Sequence, residues 1–142
     1  MQTFEAQIRD FAEKTERELL AVSRGATQDV IDDMQKPRAK GGRMRVDTGY
    51  LRNSLEASGS GLPAVKSGGP ADGATYSGGE ANVMAFIAGL LLGGVAYFGY
   101  TASYASAREY GARGQAPDAF VRGAVQKWQA FVDDNVRKLP PR

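Results

Sequence analysis

The chain has 142 residues, a formal net charge of +2, and neither cysteine nor histidine. This length suggests one domain with a modest core. The composition excludes a disulfide framework, thiolate chemistry, and the commonest general base and zinc ligand. The near-neutral charge points to no class of partner. The opening MQTFEAQIRDFAEK carries charges where a signal peptide needs an apolar core, so a cytosolic origin is expected.

Residues 3–35 read as one long amphipathic helix. Phe4, Ile8, Phe11, Leu19, Val22, Ala26 and Val30 follow spacings of three and four, with Thr15 in the gap, and so form one stripe. Thr3 is the expected N-cap, Gly25 a point where the helix bends, and Pro37 the stop. The outer face is mainly acidic. It reads as a solvated face or as a surface for a basic partner.

Residues 36–46 form a basic loop with Lys36, Arg38, Lys40, Arg43 and Arg45. The loop has no aromatic residue to stack on bases. It reads as a solvated loop or as a phosphate contact, with no groove-reading motif. Residues 47–56 follow as a short helix capped by Asp47 or Thr48, with Leu51 and Leu55 on one side. Residues 57–80 are rich in Gly, Ser, Ala and Pro and read as a long loop, with a short strand near Ala64 to Lys66. Its Gly59-Ser60-Gly61-Leu62-Pro63-Ala64 is no dinucleotide motif, because no strand precedes it and Pro63 sits where a helix would begin.

The uncharged run from Asn82 to Ala107 admits two readings. It is long enough to cross a bilayer, and Gly89 and Gly93 form a small-residue pair suited to helix packing in lipid. Yet Gly93-Gly94 is also a hairpin turn signal, and Tyr97, Phe98, Tyr100 and Tyr104 favour a strand. The expectation is a β-hairpin over 83–104, with arms 84–92 and 95–104 covered on both faces. A final helix over 118–139 carries the stripe Val121, Val125, Trp128, Val132, Val136 and Leu139. Phe120, Ala124 and Phe131 widen it. Trp128 reads as core, Asp133 and Asp134 as solvent-facing. The fold class is therefore α+β: a long N-terminal helix, a central antiparallel hairpin or small sheet, and a C-terminal helix packed on it.

No catalytic constellation can be assembled. Ser67 beside Lys66 lacks any sign of activation. No enzyme activity, metal or cofactor is expected.

Asp47-Thr48-Gly49-Tyr50-Leu51-Arg52-Asn53-Ser54-Leu55 resembles the D-T-G-x-L-R-x-S signature of the neck and tail-completion proteins at the head–tail junction of long-tailed bacteriophages. Tyr104-Ala105 and Glu109-Tyr110-Gly111 are similar to that family's Y-A and E-aromatic-G. Ala119-Phe120-Val121-Arg122-Gly123-Ala124 stands where its P-F-x-x-P-A opens the last helix, with Ala119 and Gly123 in place of the two prolines. The order of elements agrees over most of the chain.

The resemblance implies a structural virion protein, not an enzyme. It implies a ring of six or twelve copies of the chain between the DNA-filled head and the tail. Its neighbours would be the head-completion or connector protein and the tail-tube or terminator protein, with DNA passing close by and no small-molecule substrate. It places the protein in the virion, and in host cytoplasm during assembly. The signature residues here are Asp47, Thr48, Gly49, Leu51, Arg52, Ser54, Tyr104, Glu109, Gly111, Phe120 and Ala124. Two local expectations follow. The basic loop lies at the ring lumen or between rings, and Glu109 pairs with a basic group such as Arg52 or Arg113. The competing classes are a membrane protein anchored by 83–104 and a nucleic-acid-binding accessory protein.

Overall fold

The computed structural model describes residues 1–141. Helix α1 (Phe4–Gln35) runs unbroken for 32 residues, about 48 Å at the usual rise. The Thr3 hydroxyl accepts from the Ala6 N–H at 3.1 Å, satisfying one of the orphan donors of the first turn. A single 3₁₀ turn follows (Arg38–Lys40), then the short α2 (Tyr50–Asn53) and strand β1 (Leu55–Ser58). Next come α3 (Glu80–Ala88), β2 (Tyr97–Tyr100) and α4 (Ala105–Tyr110). The last two helices are α5 (Phe120–Val125) and α6 (Trp128–Arg137). The chain is α+β, with a long first helix, one two-stranded antiparallel sheet and C-terminal helices packed beside it.

The sheet is not the expected hairpin. β2 pairs with β1, in register Leu55↔Tyr100 to Ser58↔Tyr97, so its partner comes from a segment expected to end a helix and open a loop. The arm read over 84–92 is mostly helix. Glu80 opens α3, and Ala81, Ala85 and Ala88 favour helix. Val83 and Ile87, one turn apart, are its buried residues. Gly93 still turns the chain, at φ +79°, and the Gly94 N–H donates to the Leu91 carbonyl at 3.1 Å. That turn joins helix to strand rather than strand to strand. Among the described residues no helix is long and apolar enough to cross a membrane, so the membrane-anchored reading of 83–104 is not supported. No strand forms near Ala64 to Lys66. One backbone bond, from the Lys66 N–H to the Thr101 carbonyl at 2.8 Å, ties that segment to the end of β2.

The core has two parts. Ile31, Met34, Leu55, Val83, Ile87 and Ala124 form one, between α1, α3 and the sheet. Met44, Leu51, Ala102, Ala105 and Phe120 form the other. Tyr100 and Val121 touch both. Gly25 does not interrupt α1. It is a point of close approach, where a Cβ would collide with the Asn135 side chain of α6. Asn135 in turn donates to Asp29 at 2.8 Å.

Two expectations about apolar stripes need correction. The C-terminal helix is broken after Val125, and Trp128, expected in the core, is 43% exposed. α6 meets α1 through Asn135 and the half-buried Phe131, while Trp128, the first residue of α6, and Val136 are exposed. The stripe of α1 is covered only in its second half. Ala26 is fully buried, but Phe4, Ile8, Phe11 and Leu19 are each more than half exposed.

Candidate functional site

The first signature segment is built around Gly49. Its φ of +86° is left-handed, where glycine is strongly favoured. A Cβ there would also run into the Tyr76 carbonyl. The Thr48 hydroxyl accepts from the Tyr50 N–H at 3.2 Å, an ST-turn that sets up α2. The Thr48 carbonyl accepts from the Tyr76 N–H at 2.8 Å. Asn53 works in both directions. Its amide donates to the Gly49 carbonyl at 2.9 Å, and its oxygen accepts from the Gly79 N–H at 2.7 Å. The glycine-rich loop is therefore fastened to the signature at Tyr76 and Gly79, the second just before α3.

The rest of the segment ties α1 to the sheet. The Arg52 guanidinium donates to the Gln35 carbonyl at 2.8 Å and pairs with Glu80 at 2.7 Å. Gln35 donates back to the Arg52 carbonyl at 2.8 Å and accepts from the Tyr100 hydroxyl at 2.6 Å. Burial pushes the Tyr100 phenol well above its ordinary pKa, so it stays a donor. The Ser54 hydroxyl donates to the Leu51 carbonyl at 2.7 Å, and the Ser54 carbonyl accepts from Thr101. Leu51 is buried, whereas the Asp47 side chain is exposed.

The second signature segment closes over the first. Tyr104 stacks on Tyr50 with centroids 6.1 Å apart, and Arg108 lies 5.9 Å over the Tyr104 ring. Burial raises the Tyr104 pKa. Glu109, 6% exposed, caps α5. Its carboxylate accepts from the backbone N–H groups of Val121 and Arg122, both at 2.9 Å, and from the Arg122 side chain at 3.0 Å. Glu109 thus has the expected basic partner, which is Arg122 rather than Arg52 or Arg113. Gly111 has φ +85°, and a Cβ there would crowd Gln115 and Pro117. Phe120 is 1% exposed and meets Tyr100 edge-on at 5.0 Å, and Ala124 is fully buried.

The basic loop is structured by the first residue of the expected C-terminal helix. Asp118, with a fully buried side chain, holds Arg45 at 2.6 Å and Arg38 at 3.1 Å. It also accepts from the Arg45 N–H at 3.2 Å. Met44 is buried beneath the loop, and its carbonyl accepts from the Arg38 N–H at 2.8 Å. Arg43 lies against Gly123, where a Cβ would collide with the guanidinium. Three of the five basic residues are therefore engaged with the region around α5. Lys36 and Lys40 remain as exposed ammonium groups. They edge a cleft of about 290 Å³ that Gln35, Arg52, Glu80 and Met84 also line. Ala119 and Gly123 each have a local structural role. Ala119 has φ +50°, which proline cannot adopt, and Gly123 makes room for Arg43.

Every buried side-chain polar atom among the described residues has a hydrogen-bond partner. No group of three or more acidic side chains is placed to hold a metal ion among them. The arrangement is chemically a set of braces. It joins α1, the sheet, the glycine-rich loop and α5 around the two signature segments. Compared with protein-family models, curated proteins and solved structures, the chain matches none.

Gly49→Ala is expected to destabilise the protein by about 2 kcal/mol or more, from left-handed strain plus the collision with Tyr76. Gly49→Asn should be no better, although asparagine tolerates positive φ, because the collision remains. Thermal unfolding of the two variants checks this. A rescue by asparagine would show that backbone strain alone sets the requirement.

Proposed function

We propose that this chain is a structural protein of the bacteriophage head–tail junction, a neck or tail-completion subunit that joins the tail to the DNA-filled head. The resemblance of its signature segments carries the reading. One observation supports it above the rest: the two segments, some fifty residues apart, meet as one unit, with Tyr104 on Tyr50 and Glu109 at the head of α5. Residues so braced serve a rigid building part, and the bare first half of α1 suits a subunit whose neighbours complete it. The role is mechanical rather than catalytic. The partners are further copies of the chain in a ring, the connector side of the head and the tail, and the site of action is the virion.

The test is disruption of the gene in the phage that carries it. Filled heads and free tails should accumulate unjoined, and infectivity should fall by orders of magnitude. Normal tailed particles from the disrupted phage would remove the proposal. The basic loop contributes Lys36 and Lys40 to whatever surface meets DNA or the next ring. Its arginines 38, 43 and 45 serve the fold first.

A further inference from the structure

The first half of α1 is an arm without cover. Phe4, Ile8, Phe11 and Leu19 are 75%, 53%, 62% and 55% exposed. They belong to the same stripe as Ala26, which is fully buried. The cover is lost because α6 runs antiparallel to α1 and stops short. Lys127 pairs with Asp33 and Asn135 with Asp29, while Leu139 and Pro140 share a recess with Lys14, Arg17 and Ala21. Among the described residues, no hydrogen bond, ion pair or core cluster joins residues 4–12 to a later element. A helical stretch of this length is marginal in water without packing on one face.

We propose that the arm docks on a second copy of this chain, against the exposed Trp128 and Val136 of that copy's α6. Continuity supports this. In one molecule the stripe already packs helix on helix against the C-terminal helices, and Trp128 and Val136, 43% and 50% exposed, are bare apolar side chains on the same helix pair. Charge supports it as well. Residues 1–20 carry five acidic and three basic side chains, whereas the rest of the chain carries 11 acidic and 15 basic. Two arms repel one another, and an arm is attracted to another copy's body. The contact is therefore heterologous, the kind that closes into rings or runs on as filaments. It rests on the self-assembling part of the reading above and is independent of the phage role.

The experiment uses the purified full chain and light scattering after size exclusion. The wild type should show a multiple of the 15.2 kDa chain mass. The variant Ile8→Asp/Phe11→Asp should fall to one chain with wild-type helicity by circular dichroism. Because the chain has no cysteine, an Ile8→Cys sample mixed with a Val136→Cys sample reports the contact directly. Oxidation should give the mixed disulfide dimer, and Ser67→Cys in place of Val136→Cys should not. A wild-type monomer at high micromolar concentration would overturn the proposal. So would an assembly that survives the double aspartate variant, or equal cross-linking to position 67. Survival of a ring in that variant would leave the ring reading standing and remove the arm. An arm-dependent dimer would do the reverse.

Discussion

Asp118→Ala is expected to lower stability by about 3 kcal/mol, or roughly 10 °C in Tm for a chain of this size. The Asp118 side chain is fully buried and accepts from Arg38, from the Arg45 guanidinium and from the Arg45 N–H. Removing it leaves that part-buried N–H without its partner, which costs about 1–3 kcal/mol. Arg45 keeps contacts to Gln115 and the Ala116 carbonyl, and Arg38, 57% exposed, regains water at little cost. The loss thus stays at the low end of that for a fully buried pair broken on one side, about 3–5 kcal/mol. The loop should open as well, so trypsin should cut after Lys40 and Arg43 sooner than in the wild type. An unchanged Tm with an unchanged digestion pattern would show that the buried carboxylate does not hold the loop.

Glu109→Ala is expected to cost a similar amount, about 3 kcal/mol, for a different reason. Its carboxylate satisfies two of the orphan N–H groups that open α5. The ion pair with Arg122, a residue whose side chain is 46% exposed, adds little. Arg122→Ala should therefore cost only about 1 kcal/mol. Urea unfolding of the two variants separates cap from pair. Equal losses would mean that the ion pair, not the cap, secures the helix. Asp118 and Glu109 hold neighbouring turns, so the double variant should lose less than the sum of the two.

The elements set by local chemistry were readable in the chain. Thr3, the apolar stripe and Pro37 delimit α1 to within a residue, and the α+β class stands. The hairpin was not readable. Strand pairing is non-local, and the partner of Tyr97–Tyr100 lies some forty residues back at Leu55–Ser58. The alanines and Glu80 of α3 were the overlooked helix signal beneath a run that looked uniformly apolar. The signature residues are legible in the chain, but their partners are not. Glu109 finds Arg122 across a loop, and Asp118 finds Arg38 and Arg45 from about eighty and seventy residues away. Spacing along the chain carries no trace of either. The stripe over 118–139 presumes one continuous helix, whereas the chain breaks after Val125 and Trp128 opens α6 instead of sitting inside a longer helix.

The most direct measurement of the central claim is joining in vitro. Purified protein would be added to a lysate of the disrupted phage, and joined particles counted by electron microscopy. The account predicts that heads and tails, separate before addition, join and become infectious in proportion to added protein. Heads and tails that stay apart with folded protein present, or that were joined without it, would contradict a role at the head–tail junction.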